Sequence, residues 1–152
     1  MYSLSYILHI IGVAVWIGSF SVLGYLLRIL AKDETKLDQY TLIIKKTQKW
    51  VMWGVIPSLI IILNTGAYMI LQFNRDSLPL YLTLMEQAGT LVILISIIFV
   101  SIYSVRLTKR FKNIPLKKER TLSTLTKTYA NFLFVSTALG TIIVIIVGLR
   151  LV

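Results

Sequence analysis

The stretch SLSYILHIIGVAVWIGSFSVLGYLLRIL, Ser3–Leu30, decides the fold of this protein. Only isolated polar residues interrupt it, and it exceeds the about 20 apolar residues that a helix needs to cross a bilayer's hydrocarbon core. Three further stretches meet the same criterion: Trp50–Phe73, Leu80–Val105 and Tyr129–Val152. Unpaired backbone groups are costly in lipid, and the length of these runs without strict alternation favours helices over barrel strands. The sequence therefore predicts an all-α fold, a bundle of four transmembrane helices.

The composition favours a single integral membrane domain over residues 1–152. The chain is 57% hydrophobic and 14% charged, its mean hydropathy is +0.81, and no polar linker divides it. Because it contains no cysteine, disulfides and thiolate metal sites are excluded. A phosphate-binding loop, a nucleophile elbow and an HExxH motif are also missing from the sequence, which argues against a kinase or a hydrolase. The N-terminal run lacks the features of a signal peptide and is expected to be a retained first span.

The basic residues predict how the bundle is oriented. All but two of the 16 lysines and arginines lie in or beside the first and third connections, the exceptions being Arg75 and Arg150. Lysine and arginine in short loops are retained on the cytoplasmic side, so both termini are expected to face outward. The same loops are expected to contact anionic lipid headgroups. Nucleic-acid binding is not expected, because the positive charge is split between two juxtamembrane segments.

Two local features modify this picture of four straight spans. Helical spacing in the first connection predicts a short interfacial helix before the second span, formed around Leu37, Tyr40, Ile44 and Gln48. Pro57 lies inside the second span, where it removes a backbone donor and is expected to kink the helix.

Two ionisable side chains, His9 and Glu86, lie well within the predicted spans. Such groups cost roughly 2.5 to 3.5 kcal/mol in a membrane, so each requires a partner or a function. The predicted topology places both near the outer surface, where they could meet. Glu86 could pair with Arg150, orient the His9 ring or carry a proton, or it could simply lie among headgroups.

His9, Gly12 and Trp16 follow one another on one face of the first helix. An imidazole, a gap without a side chain and a flat indole together suit a planar ligand. A neutral imidazole can ligate haem iron or copper, and Gly12 would let a macrocycle approach the backbone. The alternative is a histidine that bonds to a neighbouring helix, with Gly12 and Gly18 allowing tight packing.

Met69 and Met85 are candidate metal ligands that could act with His9 and Glu86. Thioether and imidazole donors suit Cu(I), although methionine also fills irregular gaps between helices. The remaining polar residues of the spans predict interhelical hydrogen bonds: Asn64, Thr65, Ser96, Ser101, Ser136, Thr137 and Thr141. Three aromatic residues are expected in the inner interfacial belt: Trp50, Trp53 and Tyr129.

Two segments of the first half of the chain carry a family resemblance. LHIIGVAVWIGSF, Leu8–Phe20, resembles the first helix of the CopD copper-resistance family, with its histidine, tryptophan and small residues. VIPSLIIILNTGAYMIL, Val55–Leu71, is similar to the proline and Thr-Gly pattern of that family's next span. The resemblance implies copper import or membrane metal handling, with His9 as the candidate ligand. A weaker resemblance is to the HemJ type of protoporphyrinogen oxidase, whose first-helix histidine binds haem b.

These observations lead to three hypotheses about function. The first is a CopD-like protein of the cell membrane, expected to be prokaryotic, that binds haem b or copper near its outer face through His9. A homodimer would bring two His9 residues to one metal or haem. The second is a HemJ-like oxidase, which would need haem or a quinone as electron acceptor. The third is a non-catalytic subunit of a larger membrane complex, in which the polar residues only pair helices.

Overall fold

The computed structural model describes residues 2–32, 39–72, 79–112 and 121–149. Four long helices account for nearly all of them: α1 (Tyr2–Leu30), α2 (Thr41–Ile70), α3 (Leu80–Phe111) and α4 (Leu122–Leu149). Each is long and apolar enough to cross a membrane, and these described ranges contain no β-strand. The predicted all-α bundle of four candidate transmembrane helices is confirmed.

The helices form an antiparallel ring in chain order. α1 packs along α2 on one side and along α4 on the other, while α3 packs on α4 and less extensively on α2. His9 near the start of α1 contacts Thr65 late in α2, and Ser123 at the start of α4 donates to the Ala31 carbonyl after α1. This is the up-down-up-down arrangement of four-helix bundles. We call the end with the starts of α2 and α4 the basic end, and the other the opposite end.

Packing is tightest in the middle of the bundle and toward the basic end. The large side chains that are completely buried lie there: Phe20, Leu27, Ile44, Leu59, Leu107, Leu125, Tyr129 and Leu133. Phe99 and Phe132 stack between α3 and α4 with ring centroids 4.8 Å apart. At the opposite end, the first ten residues of α3, Leu80–Gly89, include no buried residue. The bundle is therefore looser at the end where His9 lies.

The second helix differs from its prediction at its start. Thr41–Trp50 is helical as expected, with Ile44 and Thr47 buried, but it continues directly into the membrane-spanning segment. The junction is a wider π-helical turn, Val51–Val55, shortly before Pro57. Nothing between Thr41 and that turn breaks a helix, so the predicted interfacial helix is the first part of α2. The kink expected at Pro57 stays a prediction. Leu37 lies outside the described residues.

The helices also extend past the predicted spans at the basic end. α2 begins at Thr41 rather than Trp50, α3 ends at Phe111 rather than Val105, and α4 begins at Leu122 rather than Tyr129. Hydropathy marks only the part of a helix that lies in hydrocarbon, whereas its backbone hydrogen bonds continue beyond that part.

The three aromatic residues predicted for the inner interfacial belt differ in exposure. Trp50 and Trp53 are 57% and 78% exposed, as the belt prediction requires, but Tyr129 is completely buried. The prediction for Tyr129 was wrong because its side chain faces the core of the bundle, where it packs in the cluster of buried residues.

Candidate functional site

Two polar groups of α2 hold the His9 ring. Its Nδ1 atom lies 3.2 Å from the carbonyl oxygen of Ile62 and 3.1 Å from Oγ1 of Thr65. The ring can approach α2 this closely because it lies over Gly66, where an added Cβ would be 3.2 Å from Cε1 of His9. His9 is therefore a cross-link between α1 and α2, and Thr65 confirms the predicted hydrogen bond across the bundle.

These contacts determine which nitrogen of His9 carries a hydrogen. A carbonyl oxygen only accepts, so the bond to Ile62 requires a hydrogen on Nδ1. The Thr65 hydroxyl donates to the carbonyl of Ile61 at 2.7 Å, which leaves its oxygen to accept from His9 as well. In the neutral ring the lone pair is then on Nε2, which makes no hydrogen bond with any residue of the described ranges. Metal-binding histidines commonly have this arrangement, with the second ring N–H bonded to a carbonyl.

Met69 is the predicted ligand that lies on the same face of α2 as the residues around His9. It follows Thr65 by four positions and Gly66 by three, so it lies one turn closer to the opposite end. Its side chain is 7% exposed. The buried thioether thus lies on the face of α2 that carries the His9 contacts, and an imidazole with a thioether is a donor set that suits Cu(I).

Met85 and Glu86 lie on a different helix from His9. Both belong to a π-helical turn in α3, Met85–Gly89, that packs against α4 and α2, and both side chains are half-buried. The meeting of His9 with Glu86 stays a prediction. Arg150, the other predicted partner of Glu86, lies outside the described residues.

Gly12 and Trp16 are packed between helices instead of bordering an open face. A Cβ at Gly12 would lie 2.7 Å from Cγ1 of Ile62, so α2 fills the space beside the glycine. Trp16 turns to α4, where its indole covers Gly140 and is 3% exposed. The residues predicted to flank a macrocycle therefore do not leave room for one between them, and the packing agrees with the alternative interpretation of Gly12. Gly18, by contrast, faces open space.

The predicted interhelical role of two serines is confirmed. Nε1 of Trp16 donates to Oγ of Ser136 at 3.1 Å, and Oγ of Ser96 lies 2.6 Å from Oγ of Ser136. This group joins α1, α4 and α3 at the middle of the bundle. Asn64, which was expected to act similarly, is exposed on the outer surface of α2.

One polar contact was not predicted as a link between helices. Nε2 of Gln48 donates to the carbonyl and to Oγ of Ser104, each at 2.8 Å, and also contacts Oγ1 of Thr108. In the sequence, Gln48 is an amide four positions after Ile44, in a segment that is rich in lysine. This spacing indicated a helix, but it did not reveal that α3 is the neighbour.

Within the described ranges, no group of three or more His, Cys, Asp or Glu side chains could hold a metal ion. A metal site built only from these residues would therefore contain at most two such side chains. Comparison of the chain with protein-family models, curated proteins and solved structures finds no match.

Proposed function

We propose that the protein handles copper in the membrane and binds Cu(I) through Nε2 of His9, with Met69 as the second ligand. The observation that carries the proposal is the hydrogen bonding of Nδ1 to Ile62 and Thr65, which orients the ring and leaves Nε2 as the donor. Imidazole and thioether are ligands that Cu(I) favours. The CopD-like pattern of the first two spans supports the same function.

Haem b is the second candidate because the same nitrogen could serve as an axial ligand of iron. The loose packing of Leu80–Gly89 at the opposite end favours it, whereas the filled space beside Gly12 does not. A copper ion needs only a small space between two side chains, so copper is the leading proposal. A HemJ-like oxidase activity would rest on the haem alternative and would be measured as turnover of protoporphyrinogen by haem-loaded protein.

A purely structural role for His9 is the competing proposal. Its bonds to α2 would justify an imidazole in the membrane without any ligand, as in an accessory subunit that pairs helices. The two proposals differ at Nε2, which a structural cross-link through Nδ1 does not use.

The test is an anaerobic competition for Cu(I) between the full chain in mild detergent and a chromogenic chelator of known affinity. We expect one Cu(I) per chain for the wild type, no binding for His9→Gln, and binding weakened by about tenfold or more for Met69→Leu. Met52→Leu, at the other end of α2, is the matched control and should bind as the wild type does. A stronger effect of Met85→Leu than of Met69→Leu would assign the thioether to α3 instead.

The same preparation separates the alternatives. Unchanged copper binding in His9→Gln would overturn the proposal. A Soret band after haem reconstitution that His9→Gln abolishes, without copper binding, would establish the haem alternative. Protein that stays colourless and metal-free after exposure to both would leave the structural role.

A further inference from the structure

A groove of about 320 Å³ lies between α2 and α3 at the basic end. Lys45 and Lys49, one helical turn apart on α2, line it together with neutral side chains of both helices, and none of the lining residues in the described ranges is acidic. Nζ of Lys45 lies 5.1 Å from the ring centroid of Phe111, the last residue of α3, so this lysine reaches across the mouth of the groove. The described residues at the mouth therefore contribute positive charge.

The lining changes from polar to apolar along the groove. Beyond the lysines, the next turn of α2 contributes Met52 and Trp53, while Val105 of α3 lines the groove at the level of Gln48. Trp53 is 78% exposed and Val105 is 50% exposed, so the apolar part is open to the surroundings of the bundle. In a membrane these surroundings are acyl chains, and tryptophan is typical of the boundary between headgroups and hydrocarbon.

Hydrogen bonds join the two helices that form the groove. The amide of Gln48 bridges the helices by donating to both oxygens of Ser104, and Thr108 donates to the Ser104 carbonyl at 3.0 Å. These three residues all line the groove. The separation of α2 and α3 at this level is set by the protein and does not depend on a ligand.

We propose that this groove is a binding site for an anionic phospholipid. The phosphate lies between Lys45 and Lys49, and an acyl chain passes Val105 and follows Met52 and Trp53 toward the membrane centre. Basic pockets between transmembrane helices are suited to anionic headgroups, and the apolar half of the groove would have no purpose for a free phosphate ion. The site is independent of the copper proposal, since it lies at the other end of the bundle.

Lipid binding to the full chain in mild detergent tests the proposal. We expect phosphatidylglycerol to be retained in native mass spectrometry and to raise the unfolding temperature, with phosphatidylcholine and inorganic phosphate much less effective. The pair Lys45→Gln and Lys49→Gln should weaken phosphatidylglycerol binding by roughly fivefold for each lysine. The matched pair Lys46→Gln and Lys109→Gln removes the same charge from exposed lysines outside the groove and should change binding less than twofold.

A second variant tests the apolar half without changing the charge. Val105→Trp places a bulky side chain in the groove and should weaken phosphatidylglycerol binding at least as much as one lysine substitution. Met52→Trp takes its place if circular dichroism shows that Val105→Trp is unfolded. Equal losses in the two lysine pairs would mean diffuse electrostatic contact and would overturn the proposal. Unchanged binding in the filled variant, or displacement of the lipid by inorganic phosphate, would overturn it too.

Discussion

The hydroxyl of Ser136 both receives and gives a hydrogen bond at the centre of the bundle. It accepts from Nε1 of Trp16, because an indole nitrogen can only donate. Ser96 donates its own hydroxyl hydrogen to the Val92 carbonyl at 2.7 Å, so it accepts from Ser136. The chain of bonds therefore runs in one direction from α1 through α4 to α3. Removing its members should have unequal effects.

Ser136→Ala should destabilise the bundle more than Ser96→Ala. Without Ser136 the indole N–H of the buried Trp16 loses its acceptor, and we expect a loss of about 1 to 2 kcal/mol in the free energy of unfolding. Without Ser96, the Ser136 hydroxyl can donate to a carbonyl of its own helix, as many membrane serines do. Unfolding in mixed detergent, followed by circular dichroism, compares the two variants. Equal losses would show that the direction of the bonds is of no consequence.

Thr65 is expected to act as a positioning residue for His9. Thr65→Val keeps the shape of the side chain but removes the oxygen that accepts from Nδ1. We expect Cu(I) binding to weaken by about tenfold, because partners of a ligating histidine fix its orientation and its tautomer. Thr65→Ser restores the acceptor and should restore the affinity, measured by the same chelator competition. Normal affinity in Thr65→Val would show that the Ile62 carbonyl alone orients the ring.

At the scale of helices, the packing of α1 against α4 depends on a glycine of α4. The six-membered ring of Trp16 covers Gly140, and an added Cβ would lie 2.8 Å from Cη2. Because the indole is rigid and enclosed, neither helix can accommodate the methyl group without moving. Small residues allow helix backbones to approach in membranes, where no hydrophobic force holds helices together.

Gly140→Ala should therefore destabilise the protein by about 1 to 3 kcal/mol, the usual range for overpacking. Gly148→Ala, in the same helix, is the matched control: an added Cβ there meets nothing within 4 Å, so a neutral or slightly stabilising effect is expected. The measurement is the detergent unfolding midpoint of both variants and of Gly140→Ala combined with Trp16→Phe. The smaller ring of phenylalanine should relieve the clash, so Gly140→Ala should cost less stability in the Trp16→Phe background. If the effects of the two substitutions simply add, the proposed contact is contradicted.

Which residues each helix buries could be predicted only in part. Apolar residues occupy every face of α1. The sequence pattern therefore does not distinguish Ile10, which is 51% exposed, from Phe20, which is completely buried. Lipid chains and neighbouring helices are both apolar, and the contrast that marks the core face of a helix in water is missing. For the same reason, the sequence predicted that His9, Gly12 and Trp16 share one face of α1. It did not predict that His9 and Gly12 contact α2 while Trp16 contacts α4.

For the whole molecule, length and hydropathy sufficed to predict four helices, because the bilayer thickness sets the required length. The structure adds the order of the ring and the difference between its ends. The basic end is closely packed and carries the charged groove, whereas the opposite end is looser and carries the nitrogen of His9. The two proposed sites thus lie at opposite ends of the bundle, and the predicted orientation assigns the lysine groove to the cytoplasmic surface.

That orientation can be tested with single cysteines, since the chain has none of its own. Ser77→Cys lies in the second connection, which carries one arginine, and Thr35→Cys lies in the first, which is rich in lysine. Because positive charge is retained in the cytoplasm, a membrane-impermeant maleimide should label Ser77→Cys in intact cells. It should label Thr35→Cys only after the cells are permeabilised. The opposite labelling would place His9 at the cytoplasmic surface and the lysine groove outside, where anionic lipid is less available to it.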